Sequence, residues 1–135
     1  AAVDDNISEF SHGYDTVLGE RGVTVSGGQK QRISIARALM KNASILILDD
    51  SVSAVDVKTE KQILKNLREI RRGKTTILIA HRVTTIESMD KIIFIDDGKM
   101  LAVGTHEELY KSCPEYKLTV DLQRLEDENG GAQNA

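Results

Sequence analysis

The segment Ser-Gly-Gly-Gln at residues 26–29 leads directly into a long helical pattern and constrains the fold more than any other stretch. Ser26 and Gln29 are spaced as in a capping box, in which each side chain bonds the backbone N–H of the other. The glycines permit close approach to the main chain, and the first turn of such a helix favours an anion. An ordinary capped helix after a loop explains the same residues equally well. The apolar residues that share one face of the predicted helix are Ile33, Ala36 and Met40.

The composition of the chain argues against several classes of protein. Its 135 residues suffice for one domain, and its 40% hydrophobic residues suffice for a core. The net charge of −3, with lysines and arginines spread along the sequence, argues against a nucleic-acid-binding surface. Cys113 is the single cysteine, and no apolar run approaches the ~20 residues of a membrane span. The sequence starts in mid-pattern, so we expect it to be a piece of a longer protein.

Two short apolar runs, at 43–48 and 75–80, predict strands buried on both faces of a sheet. The first run is followed by Asp49 and Asp50, and the second is followed by His81. Ligands of open α/β sheets gather at the carboxyl ends of the strands. Two carboxylates at such an edge are costly unless they face a ligand or a cation, so this edge is a candidate site.

A helix is predicted at 57–72, and Asp56 is placed to cap it. The predicted buried stripe of this helix consists of Ile63, Leu67 and Ile70. The dipeptide Asp97-Gly98 predicts a two-residue hairpin between strands at 91–96 and 99–103.

The C-terminal part of the sequence predicts two helices and a tail. Thr105 and Glu108 form a second capping-box pattern, which opens a helix that stops before Pro114. The last helix is predicted at 115–126. Residues 127–135 are rich in Gly, Asn and Gln, which predicts a disordered tail.

The order of these pieces resembles the C-terminal part of the ATP-binding domain of ABC transporters, over residues 1–126. Ser-Gly-Gly-Gln followed by Lys-Gln-Arg resembles the signature motif of that family, and residues 45–49 resemble its Walker B strand. Ser-Ala-Val-Asp at 53–56 resembles the D-loop, and His81 resembles the switch histidine. Gly-Glu-Arg-Gly at 19–22 and Gly-Thr-His-Glu-Glu-Leu at 104–109 are similar to the exporter branch, especially bacterial multidrug and lipid exporters.

The resemblance implies an α/β fold, namely part of a P-loop NTPase (RecA-like) ABC ATPase core without its phosphate-loop strand. Residues 1–42 would be the end of the helical subdomain with the signature motif, and 43–104 the C-terminal half of the core sheet. Residues 105–126 would form the C-terminal helices, and 127–135 the disordered tail. In the family the absent strand lies between the strands at 75–80 and 91–96. We therefore expect unpaired apolar edges and a rearranged, dimeric or domain-swapped fragment.

The resemblance also implies ATP and Mg²⁺ as cofactors and assigns a role to each motif. Asp49 would hold Mg²⁺, Asp50 would orient the attacking water, and His81 would contact the γ-phosphate. Asp56 in the D-loop would help to position the site of a partner subunit. The residues that would contact a nucleotide held by the other subunit are Ser26, Gly27, Gly28 and Gln29.

Two departures from the family pattern affect the expected activity. No Gly-x-x-x-x-Gly-Lys-Ser/Thr phosphate loop occurs in the sequence, so we expect this chain alone neither to bind ATP tightly nor to hydrolyse it. The position after Asp49, usually a glutamate in the family, is Asp50, whose shorter side chain would orient water poorly. An aspartate beside an intact signature resembles the degenerate half of a heterodimeric exporter, and a homodimer that tolerates aspartate is the alternative.

The sequence thus predicts part of the nucleotide-binding domain of an ABC exporter, at the cytoplasmic face of the cell membrane, that couples ATP binding and hydrolysis to transport. The expected partners are a transmembrane domain, which residues 20 and 21 would touch, and a second ATP-binding domain. No nucleic acid is expected. A soluble ABC-type ATPase of DNA repair or chromosome maintenance is the alternative, although such proteins usually carry long coiled coils. A non-catalytic interaction module is a third interpretation.

Overall fold

The computed structural model describes residues 2–10, 12–16 and 25–132. The Gly-Glu-Arg-Gly segment at 19–22, predicted to touch a transmembrane domain, lies outside the described residues. The chain divides into two compact units, Ala1–Ala80 and His81–Ala135. Each unit has its own apolar core, and each is described separately below.

The first unit places helices on a parallel pair of strands. Strands β1 (Ile45–Asp49) and β2 (Thr75–Ile79) run parallel, with Ile45 opposite Thr75 and Asp49 opposite Ile79. The helices are α1 (Asp4–Ser8), a 3-10 turn (Gly13–Asp15), α2 (Gly27–Met40) and α3 (Val57–Ile70). The buried side chains of the core are Ile35, Leu46, Leu48, Val52, Val55, Ile63 and Leu67. This order confirms the predicted succession of signature helix, strand, helix and strand.

The prediction that both strands are buried on two faces is wrong for this unit. Leu46 and Leu48 are buried, but Ile45 and Ile47 are 59% and 61% exposed. Strand β2 is exposed along most of its length. The core packs against one face of the pair only, and no described residue of this unit forms a second layer on the other face. The two strands therefore carry more apolar surface than this unit alone covers.

The buried faces of α2 and α3 also differ from the predicted ones. Helix α2 packs through Ile35, whereas Met40 on the predicted face is exposed. Ile70 is 62% exposed, so its predicted place in the stripe of α3 is wrong. The last buried position is held instead by Arg71, the C-cap residue that follows α3. Its guanidinium group donates to the carbonyl oxygens of residues 43, 44 and 75 and to the hydroxyl of Thr76, so each nitrogen of the buried charged head has a hydrogen-bond partner.

The second unit combines an antiparallel hairpin with three helices. Strands β3 (Ile92–Asp96) and β4 (Lys99–Gly104) pair with a bulge between Phe94 and Ile95. The helices are α4 (Val83–Ile86), α5 (His106–Ser112) and α6 (Pro114–Ala132). The buried side chains of this core are Val83, Ile92, Leu109, Cys113, Tyr116 and Val120.

Local signals in the second unit are largely confirmed. Asp97 and Gly98 have φ angles of +46° and +70°, as the predicted hairpin turn requires. Thr105 and Glu108 form the predicted capping box. Helix α6 begins at Pro114 and continues to Ala132, so its predicted end at residue 126 is wrong. The residues beyond 126 contain no proline, and extending an existing helix gains one backbone hydrogen bond per residue.

Candidate functional site

The N-terminal end of α2, residues 26–29, is named the α2 tip. The Ser26 hydroxyl oxygen accepts a hydrogen bond from the Gln29 N–H at 3.2 Å, and the Gln29 Oε1 accepts from the Ser26 N–H at 2.9 Å. The predicted capping box is therefore confirmed. Both bonds use the side chains as acceptors. The hydroxyl proton of Ser26 and the amide protons of Gln29 are not used by the capping box, so the two side chains retain donors.

The geometry of the α2 tip suits an anion. The first intrahelical bond runs from the Lys30 N–H to the Ser26 carbonyl at 3.0 Å, so helix geometry leaves the Gly27 and Gly28 N–H groups without an acceptor inside the helix. These groups lie at the positive end of the helix dipole. Backbone and side-chain donors thus converge on one helix end, an arrangement that binds phosphate oxygens well.

Gly28 also has a packing role that the sequence did not reveal. A Cβ atom at this position would lie 2.9 Å from the Ala54 carbonyl oxygen and 3.2 Å from a methyl carbon of Val55. A Cβ atom at Gly27 would lie 3.4 Å from the Ala54 Cβ, which is close to ordinary contact. The α2 tip therefore rests on residues 54 and 55, and only Gly28 is sterically obligatory for this contact.

The carboxylates predicted at the end of β1 are both exposed. Asp50 has a φ of +47°, in the left-handed region that aspartate tolerates better than most residues. Its N–H group still donates to the Ile79 carbonyl at 3.0 Å, so the β1–β2 ladder continues one residue beyond Asp49 before the chain turns away. Because both carboxylates face solvent in this unit, the burial penalty considered for them from the sequence is absent here.

Gln31 holds the turn that follows β1, and the sequence did not predict this role. Residues 50–54 are named the Asp50 turn. The Gln31 amide nitrogen donates to the Asp50 carbonyl at 3.0 Å and to the Ser53 hydroxyl at 2.9 Å, while its oxygen accepts from the Ala54 N–H at 2.9 Å. The three partners lie 19–23 residues away, so no local pattern could have pointed to them. One glutamine of the signature helix therefore joins α2 to the turn that carries Asp50.

Asp56 caps α3, as its spacing predicted. Its carboxylate accepts from the Thr59 N–H at 3.0 Å and from the Thr59 hydroxyl at 2.6 Å. These hydrogen bonds, the hydroxyl first, hold the pKa of Asp56 below its ordinary value because they stabilise the charged form. The cap explains the residue type at this position without a ligand.

His81 belongs to the second unit, where its side chain is exposed. Residues 81–83 are named the His81 segment. The His81 carbonyl accepts from the amide nitrogen of Gln123 at 2.7 Å, and the Val83 N–H donates to the amide oxygen of Gln123 at 2.8 Å. Gln123 is the second residue that sequence reasoning missed. The first unit thus brings together the α2 tip, the Asp50 turn and Asp56, whereas His81 is held within the second unit.

The residues present fit a magnesium ion only with help from a ligand. Within residues 2–10, 12–16 and 25–132, no three His, Cys, Asp or Glu side chains are grouped closely enough to hold a metal. Magnesium commonly binds through one or two carboxylates, several waters and the phosphates of a substrate. Exposed carboxylates at Asp49 and Asp50 satisfy the protein's part of that requirement.

None of the helices in the described ranges combines the length and hydropathy needed to cross a bilayer.

Comparison with known proteins gives a consistent result. A family model described as ABC transporter matches residues 1–53. A probable multidrug resistance ABC transporter ATP-binding/permease protein of Bacillus subtilis is 54% identical over 89% of this chain and 21% of its own length. An ATP-dependent lipid A-core flippase of Alkalilimnicola ehrlichii is 54% identical over 76% of this chain and 18% of its own length.

A solved structure agrees with these relatives. The structure of a bacterial Atm1-family ABC exporter with ATP bound matches with a TM-score of 0.84 and 42% identity. The match covers 90% of this chain and 21% of that chain. The chain therefore spans about a fifth of the length of these relatives.

Proposed function

Because this chain belongs to the ABC transporter family, we propose that it supplies the C-terminal part of the ATP-binding domain of an exporter. In that domain it would couple ATP binding and hydrolysis to transport across a membrane. The relatives named above are transporters, and the solved structure is that of an exporter. These similarities favour the exporter over the soluble ATPase of DNA repair or chromosome maintenance.

The α2 tip is the observation that carries this proposal. Its capping box uses oxygen acceptors only, which leaves side-chain and backbone donors at the helix end for a phosphate group. In the proposed assembly, a second ATP-binding domain holds a nucleotide, and the α2 tip contacts its terminal phosphate. The contacting residues would be Ser26, Gly27, Gly28 and Gln29.

The remaining site residues act on charge and water. Asp49 would bind Mg²⁺, which when present neutralises charge on the phosphates, together with waters and phosphate oxygens. Asp50 would orient the attacking water, and His81 would contact the γ-phosphate. Asp56 would help to position the partner's site through the D-loop while its carboxylate caps α3. Phosphoryl transfer depends mainly on such placement of charge and water.

The partners of this chain follow from the same proposal. We infer association with a transmembrane domain at the cytoplasmic face of a membrane, since the curated relatives above include an ATP-binding/permease protein and a flippase. A second ATP-binding domain would complete the nucleotide site at the α2 tip. Asp50 favours a heterodimer, because a carboxylate shorter by one methylene group orients water poorly.

The test uses a longer protein in which this chain follows a phosphate-loop segment. Asp50→Glu is expected to raise ATP hydrolysis by the purified homodimer by up to about 100-fold, since an error of ~1 Å in placement has an effect of that size. Asp97→Glu is the matched control, because Asp97 has the same left-handed backbone but lies in the hairpin of the second unit. Brisk hydrolysis by the unsubstituted homodimer would refute the heterodimer. Failure of all three versions to bind ATP would refute the proposal that the protein is an ATPase.

The chain by itself is expected to behave differently from the longer protein. Without a phosphate loop it would neither bind ATP tightly nor hydrolyse it. Its exposed apolar strand residues would favour self-association. Calorimetric titration with ATP and light scattering of the purified chain measure these two properties. Micromolar ATP binding, or a monodisperse monomer at low concentration, would contradict them. The exposed apolar strand residues include Ile45, Ile47, Ile77, Ile79, Ile93 and Ile95, together with Met100, Leu101 and Val103 on β4.

A further inference from the structure

We propose that Gln123 on α6 is a positioning residue for His81, fixing the backbone of the His81 segment and so the direction in which the imidazole projects. The inference deepens the proposed function and rests on it, since it takes His81 as the residue that contacts the γ-phosphate. Gln123 lies outside every motif that the sequence singled out. It acts through His81 and is not itself placed against the nucleotide.

The side-chain amide of Gln123 bonds two backbone groups of the His81 segment, and this pair of hydrogen bonds is named the clasp. The nitrogen of the Gln123 amide donates to the His81 carbonyl at 2.7 Å, and its oxygen accepts from the Val83 N–H at 2.8 Å. Both distances are short for neutral hydrogen bonds of this type. Because an amide is planar and rigid, the two bonds together fix both backbone groups relative to each other. The partners are 42 and 40 residues apart from Gln123 in sequence.

The His81 segment needs such a partner. Helix α4 has only four residues, and its N-cap residue Arg82 makes no side-chain capping bond. The N–H of Val83 is one of the groups that a helix start leaves without an intrahelical acceptor, and Val83 itself is buried. A buried N–H without an acceptor is costly, so Gln123 supplies what the local sequence lacks. The same bond anchors the backbone two residues after His81.

Helix α6 is a firm support for this clasp. Val120, one turn before Gln123, is fully buried, and Tyr116 packs edge-on against Phe94 with ring centroids 5.4 Å apart. Arg124, the residue after Gln123, lies 3.9 Å from the carboxylate of Glu87 at the other end of α4. Helix α6 therefore contacts both ends of α4. This packing fixes the position of the Gln123 backbone, from which its amide reaches the His81 segment.

The competing explanation is that Gln123 only stabilises the fold as a remote helix cap. A stabilising cap would change the free energy of unfolding without acting through His81. A positioning residue lowers kcat while leaving the KM for ATP nearly unchanged, and it does so only when His81 is present. The two explanations therefore predict different kinetics.

The test combines amide exchange with kinetics in the longer protein that contains a phosphate loop. Gln123→Leu removes both bonds, and Gln123→Glu keeps the acceptor for Val83 but places a carboxylate against the His81 carbonyl. Gln62→Leu and Gln62→Glu are matched controls, because Gln62 is exposed on α3 and bonds only locally to Asn66 at 2.8 Å. Hydrogen exchange of the Val83 amide is measured in all variants, and ATP hydrolysis is measured with and without His81→Ala.

Gln123→Leu is expected to accelerate exchange of the Val83 amide by about tenfold or more, whereas Gln123→Glu largely retains its protection. Both variants are expected to lower kcat by about tenfold with a change in KM below about twofold, and neither should lower the residual kcat of His81→Ala protein. The Gln62 variants should behave as the unsubstituted protein.

Three outcomes would overturn the inference. Unchanged Val83 exchange in Gln123→Leu would show that the clasp is absent. An equal loss of kcat with and without His81 would show that Gln123 does not act through His81. Faster exchange of the Val83 amide without any loss of kcat would show that Gln123 is only a structural cap. If no version of the longer protein binds ATP, including Asp50→Glu, while Val83 exchange still depends on Gln123, the proposed function has failed although the clasp exists.

Discussion

The Asp50 turn and the His81 segment are each held by one glutamine amide, but they are held to different degrees. Gln31 makes three hydrogen bonds to the Asp50 turn, and the α2 tip also packs against residue 54 of this turn and the adjacent residue 55. Gln123 makes two hydrogen bonds to the His81 segment. The candidate carboxylate is thus positioned by shape and hydrogen bonds together, whereas Gln123 holds the histidine segment through hydrogen bonds to its backbone. We expect the first to tolerate loss of its glutamine better than the second.

Gly28→Ala tests the steric half of this comparison and has the largest expected effect. The new methyl group would lie 2.9 Å from the Ala54 carbonyl oxygen, so the α2 tip or the turn must shift. We expect a loss of about 2 kcal/mol in the free energy of unfolding, as for other overpacked sites. Urea unfolding followed by circular dichroism measures this loss.

Gly27→Ala is the matched control for that measurement. Its methyl group would meet only the Ala54 Cβ, at 3.4 Å, so the helix should accept it with a change below about 1 kcal/mol. Equal destabilisation by the two substitutions would mean that contact with residues 54 and 55 does not distinguish the two glycines.

Gln31→Leu tests the hydrogen-bonded half, with a smaller expected effect. The substitution removes all three bonds to the Asp50 turn, but the bonds are exposed, so water can replace them in part. We expect a loss of about 1 kcal/mol in the free energy of unfolding and faster exchange of the Ala54 amide. Gln31→Glu should preserve the Ala54 bond and most of its protection. If Gln31→Leu leaves the Ala54 amide as protected as before, the turn is held by packing alone.

The pH dependence of the α3 cap is the smallest expected effect and tests the capping role of Asp56. The folded-state pKa of Asp56 is lowered by its bonds to Thr59. Its stabilising contribution is therefore complete above the unfolded-state pKa of about 3.9 and is lost as the pH falls through the lower folded-state value. Asp56→Asn should keep the cap and lose this acid dependence, as measured by thermal unfolding between neutral and acidic pH.

Asp97→Asn serves as a control for that pH series, since Asp97 lies in the hairpin turn and caps no helix. It should leave the acid dependence of unfolding close to that of the unsubstituted chain. An acid dependence that survives Asp56→Asn unchanged would exclude the cap as its source.

Much of the local structure and the family could be predicted from the sequence. Both capping boxes, the Asp56 cap and the hairpin at Asp97 and Gly98 involve partners within four residues, so residue spacing alone identifies them. The motifs with their spacing likewise predicted an ABC transporter fragment, which the comparisons confirm. The roles of Asp49, Asp50 and His81 stay predictions, because they concern groups that a ligand would contact.

The buried faces and the glutamine contacts required the tertiary structure. Periodicity showed that the strands are apolar but could not show that only one face of β1 is covered within its unit. It assigned Ile70 to the stripe of α3, where packing instead buries Arg71 against backbone carbonyls. The contacts of Gln31 and Gln123 could not be predicted from local spacing, because their partners lie 19–42 residues away. Sequence determines contacts that close within a turn, whereas distant contacts depend on how the elements pack, and only packing brings such residues together.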